Sequence, residues 1–187
     1  FPINGEIVLA SALPSWINGR LTVDGNGRAP RINGNQAFSL FVVGAGGTRL
    51  DLEDLVLIGG RRANTGGCVA LAVAGDVATL DVLRTRFTDC RALAAGSPRG
   101  GAIDWEAGAG SQVLIVDSTF TNNLTTAIPA PPAIAGGAGG AVSVQASTII
   151  IDGSRFDGNL VDVGGATSGG IGGALRAMLL ADGIGSI

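Results

Sequence analysis

The chain has 187 residues, 46% of them hydrophobic and 14% charged, with 32 glycines and a net charge of −3. That balance excludes a disordered chain, which needs low hydrophobicity and high charge, and its interrupted apolar stretches exclude a bilayer-spanning helix of ~20 residues. All twelve basic residues are arginine, and His and Tyr are missing with Lys; this excludes imidazole and Schiff-base chemistry and argues against a clustered basic nucleic-acid footprint.

The chain opens at Phe1 with no basic region followed by an apolar run, so a cleaved signal or a fragment is expected. Residues 1–20 are expected to form an opening or capping coil, with "NGEIVLASALP" (4–14) folded over the stack that follows. "LTVDGNG" (21–27) then begins a series, continued by "LDLEDLVLIGG" (50–60), "LDVLRTRFTDC" (80–90), "VLIVDSTFTNN" (113–123) and "IIDGSRFDGN" (150–159). Aligned, they give columns: Leu21, Leu50, Leu80, Val113, Ile149; Val23, Leu52, Val82, Ile115, Ile151; Leu55, Thr85, Ser118, Ser154; Leu57, Phe87, Phe120, Phe156; and Gly60, Cys90, Asn123, Asn159.

A second pattern runs in step: "GGCVAL" (66–71), "GGAIDW" (100–105), "GGAVSV" (139–144) and "GGALRA" (172–177). The first series recurs at 29, 30, 33 and 36 residues and the second at 34, 39 and 33, the period of a solenoid. Within each period the apolar residues alternate over short runs, which is the strand signature. One repeat of about three short strands cannot bury its apolar face alone, whereas stacked repeats can. The pattern therefore predicts an all-β chain, a parallel β-helix of about five coils occupying residues 1–187 as one domain. The complete coils fill 21–171, with Phe87, Phe120 and Phe156 in one internal stack. The paired glycines read as scaffold, at a corner where a Cβ would meet the next coil or where φ is positive. Asn123 and Asn159 read as a turn ladder bonded to backbone.

Two segments break the pattern. "TTAIPAPPAIAGG" (125–137) is expected to leave the stack as a proline-rich loop. Residues 172–187 are expected to form a partial coil or a cap, in which Leu175, Met178 and Leu179 fit a short terminal helix.

The candidates for chemistry are few. A glycosidase needs two carboxylates across a cleft; Asp51 and Asp81 share one outward column, and Asp54, Asp104 and Asp117 also face outward by the pattern. A lyase would want a base such as Arg84 or Arg86 beside Asp81. Scattered carboxylates on a solvated face are the plainer reading, and no residue is assigned as catalytic, cofactor-binding or metal-binding. "DGNGR" (24–28) departs from a calcium loop at Arg28 and Asn35 and reads as a turn. "GAGG" (44–47) and "GGAGG" (136–140) lack the residues of a phosphate cradle. Cys68 and Cys90 lie in a corner column and a turn column that need not be neighbours; two buried free thiols are favoured over a disulfide. Trp105 is placed in the core, and Trp16 in either core or contact.

"GGAI" (100–103) with "FTNN" (120–123), and "GGAV" (139–142) with "FDGN" (156–159), resemble the repeat of the polymorphic outer-membrane protein family. "GGCV" with "FTDC" departs from it by placing Cys90 where Asn is expected. The run "IVLASALPSWINGRLTVDGNG" (7–27) resembles the first coil of large bacterial right-handed β-helix surface proteins. The resemblance implies a right-handed, pectate-lyase-like helix on an exported protein displayed at the bacterial cell surface or outside the cell. Such a unit is non-enzymatic, structural or adhesive. Its expected partners are other subunits, the rest of its own chain, or surface glycans, and no cofactor is implied. The competing expectation, from the fold alone, is a carbohydrate-active helix that binds or cleaves an acidic polysaccharide.

Overall fold

Alternation of apolar and polar residues on short segments leaves each strand with one face to bury, and stacking like on like buries it. The computed structural model describes residues 5–44, 46–128, 137–163 and 171–186, and among them every regular element is a β-strand. All pair in parallel, forming a β-solenoid of about five turns. Four ladders run along it. The first begins with a bridge from Trp16 and continues through Phe41–Val43, Val69–Leu71, Ile103–Glu106 and the start of Val142–Asp152. The second joins Arg20–Asp24, Thr48–Glu53, Ala78–Leu83, Gln112–Val116 and the end of Val142–Asp152. The third stacks Glu6–Val8, Arg31–Asn33, Val56–Ile58, Arg86–Thr88, Thr119–Thr121 and Arg155–Asp157.

The fourth ladder was not expected. Arg61–Ala63, Arg91–Ala95, Leu124–Ile128 and Leu160–Asp162 stack outside the main core. They form an excursion that leaves the coil at the Gly60, Cys90, Asn123 and Asn159 column and returns at the paired glycines. Its inward residues are small: Ala92, Ala94, Thr125 and Ala127 are buried yet lie outside the main apolar cluster.

The expected columns are the observed registers. Leu50, Leu80, Val113 and Ile149 are Cα partners in turn, as are Leu52, Val82, Ile115 and Ile151. Phe87, Phe120 and Phe156 stack with ring centroids 4.8 Å apart at both steps and nearly parallel planes, the spacing the ladder itself imposes. Trp105 is fully buried, whereas Trp16 is half-buried at the start of its ladder.

The two glycines of each pair do different work. Gly100 has φ +56°, and a Cβ there would lie 1.8 Å from the Ile103 carbonyl oxygen; at Gly101 it would lie 2.1 Å from the Gly140 carbonyl oxygen and 2.6 Å from the Leu124 amide. The first glycine makes the turn, and the second lets the returning chain touch both the next coil and the fourth ladder.

Polar side chains hold the turns coil to coil. The Leu55, Thr85 and Ser118 amides each donate to the hydroxyl of the next coil, on Thr85, Ser118 and Ser154. The Cys90 and Asn123 amides donate to the Asn123 and Asn159 side-chain oxygens at 3.0 Å, and the asparagine amides donate back to the Phe87 and Phe120 carbonyls.

One expectation is overturned here. Leu175–Ser186 is a strand paired with Val142–Asp152, not a short helix. The open edge of the preceding strand offers hydrogen bonds over many residues, which a single amphipathic turn cannot match. Within 4–14, Glu6–Val8 stacks on Arg31–Asn33 of the first coil and covers its edge by pairing with it in register. Of the proline-rich segment, Thr125–Ile128 belongs to the fourth ladder; 129–136 lies outside the described residues.

Candidate functional site

Charge concentrates in two places. On the second ladder, Arg20 and Arg49 are register partners, and two residues on lie Asp51 and Asp81, also partners. A period of two puts all four on one face. Asp51 accepts from the Arg20 Nε at 2.5 Å, the Arg49 Nε at 2.7 Å and the Thr22 hydroxyl at 3.0 Å. Arg49 also bonds Asp81. Burial pushes Asp51 up, but its hydrogen bonds from Arg49, Arg20 and Thr22 together hold it below the usual carboxylate range. Asp81 goes the other way: burial raises it, and Arg49 only partly opposes this.

The expected pairing of Asp51 with Asp81 in adjacent coils is thus correct. Arg84 is not beside Asp81. It bonds Glu53 and Asp54, and Asp54 also accepts from the Gly27 amide at 3.0 Å, so the Arg84 bond holds this carboxyl low. Arg86 and Asp117 are exposed. "DGNGR" is a turn closed by the Asn26 amide on Asp24 at 2.6 Å.

The second cluster lies where the first ladder turns its outward face toward the fourth. Asp104 was expected on a solvated surface. It is 1% exposed, because the excursion and the bridges through Thr65, Arg99, Ala138 and Ile171 wall off this face. Its register partners there, Ala70 and Ser143, are fully buried too. Arg99 bonds Glu106 at 2.8 Å and approaches Asp104 at 3.6 Å; Arg176 bonds Glu106 at 2.8 Å and the Ser143 hydroxyl at 3.1 Å. Burial pushes the Asp104 carboxyl up to about 7, against Arg99, Arg176 and Arg62 and with the help of Glu106. The arginines lose because none bonds Asp104 Oδ1, which has no hydrogen-bond partner, as is also true of the buried Arg62 Nη1 and Arg99 Nε.

Comparison with protein-family models, with curated proteins and with solved structures finds no match.

The cysteines pair. Cys68 and Cys90 form a disulfide with their Cα atoms 5.6 Å apart, against the expectation of free thiols. The corner and turn columns are neighbours because the fourth ladder departs from and returns to one corner: a Cβ on Gly67 would lie 2.4 Å from the Arg91 amide. Gly60, in the column of Cys90, leaves the room, since a Cβ there would lie 2.5 Å from Cys68 Sγ.

Sequence reasoning missed Arg20, Arg49, Arg62, Arg99, Glu106 and Arg176. Arg20 and Arg49 were legible, each lying directly before an aligned leucine, Leu21 and Leu50. Arg62 and Arg99 were not, since each reaches Asp104 across the unforeseen corner. Among the described residues no group of three or more Cys, Asp or Glu is arranged to hold a metal ion. Among the described residues no helix is long and apolar enough to cross a membrane, which says nothing of crossing with strands.

Proposed function

We propose that this chain is a non-enzymatic structural or adhesive stretch of an exported bacterial surface protein or extracellular assembly. One observation carries the reading: the carboxylates Asp51, Asp54 and Glu106 are tied by arginines along the stack. Asp51 is held by Arg20 from the coil before it, Asp54 by Arg84 from the coil after it, and Glu106 by Arg99 and Arg176. Cys68 and Cys90 close a ring around one coil, a bond that suits an oxidising compartment. Carboxylates so engaged stiffen a rod and are poorly placed to take up or deliver a proton. Assays on pectate and alginate should give no cleavage products. Turnover that disappears in Asp51→Ala or Asp81→Ala would overturn the assignment. Display is tested separately by protease treatment of intact source cells, which should remove the coils from the surface.

A second reading rests on a different observation. Arg61 and Arg91 are register partners on an exposed face beside a hollow of about 110 Å³ shared with Leu93, Leu124 and Thr126. Neither has an ion-pair partner among the described residues. Two arginines in adjacent coils without an ion-pair partner among the described residues fit the carboxylates of an acidic polysaccharide. Calorimetry with polygalacturonate should then show binding that weakens with salt and is lost in Arg61→Ala/Arg91→Ala.

A further inference from the structure

The fourth ladder holds to the rod with little apolar contact. Its inward residues Ala92, Ala94, Thr125 and Ala127 are small and lie outside the main core cluster, and its strands are three to five residues long. Little apolar area is lost when it lifts, so it is the layer expected to open first. What lies beneath it is polar. The Thr125 hydroxyl donates to the Gly139 carbonyl at 3.0 Å. Arg62 reaches toward Asp104 from the first strand of this ladder, and Arg99, in the bridge column, lies against Asp104 and Glu106. Ser143 and Arg176 complete the cluster from the two strands that follow on the first ladder.

The two acids of this cluster are not treated alike. Arg99 bonds Glu106 at 2.8 Å but stands 3.6 Å from Asp104. Asp104 is 1% exposed, and its Oδ1, the Arg99 Nε and the Arg62 Nη1 are buried without a hydrogen bond. A neutral carboxyl tolerates such a place. An ionised one leaves a buried charge without a bond, at a cost that hydration removes. The outer layer is what keeps water from it.

We propose that Asp104 is the proton-operated catch of a clasp: with its proton in place the fourth ladder lies closed on the first, and loss of the proton favours lifting of the outer strands. Closed, the carboxyl keeps its proton to about pH 7, because burial outweighs Arg99, Arg176 and Arg62 and Glu106 adds to it; open and hydrated, it titrates near 3.8. The closed state therefore binds more protons between those values. Opening should become about tenfold more frequent per pH unit through that window, at most roughly a thousandfold in all, and level off on either side. Lifting would also uncover Arg62, Arg99 and Arg176 together. The clasp depends neither on where the protein is displayed nor on whether it binds glycans.

Amide hydrogen exchange read by mass spectrometry from about pH 4 to about pH 8, corrected for the intrinsic exchange rate, tests it. The amides of Arg91–Ala95 and Leu124–Ile128 should be less protected than those of Ala78–Leu83 and Gln112–Val116 in the second ladder. Their protection should fall about tenfold per pH unit until the closed-state carboxyl has ionised. Asp104→Asn, close in shape and never ionised, should flatten that fall, whereas Asp117→Asn, at an exposed position outside the cluster, should leave it. Equal protection in the two ladders would mean that the rod opens only as a whole, and would overturn the proposal. Fourth-ladder protection that stays flat with pH in the unaltered protein, or a fall that persists in Asp104→Asn, would do the same. The first two of these results are read on the unaltered chain and stand whether or not a variant folds.

Discussion

Removing the ring of Phe120 tests the stack at its centre. The ring is fully buried, with Phe87 on one side and Phe156 on the other, each at 4.8 Å. Ladders above and below fix the backbone, so the cavity left by Phe120→Ala collapses poorly, and a loss of ~3–5 kcal/mol is expected. The two ring contacts account for about 1–3 kcal/mol of that, at ~0.5–1.5 kcal/mol each. Phe156 has one ring neighbour and is only half-buried, so Phe156→Ala should cost about 1–2 kcal/mol. Urea unfolding followed by circular dichroism, with linear extrapolation to water, measures both. A double-mutant cycle on Phe87 and Phe120 should return a coupling of ~0.5–1.5 kcal/mol. A loss at Phe120 below ~2 kcal/mol, or equal to that at Phe156, would refute the reasoning, because a constrained cavity cannot be that cheap.

Reduction of Cys68–Cys90 releases a loop of 22 residues in sequence separation, and Cys68→Ala/Cys90→Ala should lose about 3 kcal/mol in the same assay. Cys68→Ala/Cys90→Asn should lose less, because it restores the Ala and Asn of the later coils; an equal loss in the two double variants would contradict the asparagine ladder. Asp104 holds its proton to about pH 7 in the folded state and releases it near 3.8 when unfolded. The folded state therefore binds more protons between those values, and stability should fall as pH rises through that window, by at most about 4 kcal/mol. Asp104→Asn should flatten most of this slope, leaving the part that Asp81, also raised by burial, adds in the same direction; a slope unchanged in that variant would remove Asp104 as its main source. Gly101→Ala should prevent folding or lower the melting temperature sharply, whereas Gly27→Ala, at a turn with open space, should cost about 1 kcal/mol from its positive φ alone; similar effects at both would refute the corner contact.

The columns were legible because a solenoid repeats its environment. Each coil asks the same question at the same position, so Leu50, Leu80, Val113 and Ile149 name their own register, as do the three phenylalanines. The asparagine ladder was legible for the same reason. The opening pair was missed because Ile7 and Ile32 stand 25 residues apart, in coils shorter than the later ones.

What the sequence left undecided depended on contacts without a repeat. The fate of 175–186 turned on the strand edge waiting beside it, which no local pattern contains. Cys68 and Cys90 met, and Asp104 was buried, because the fourth ladder folds out and back to one corner. Its strands are short and rich in Ala and Thr, so they carry little apolar alternation to read. Alternation and period determine which residues stack along the rod; where an excursion folds back on its side is decided by close approach of backbone, and only the tertiary structure holds that.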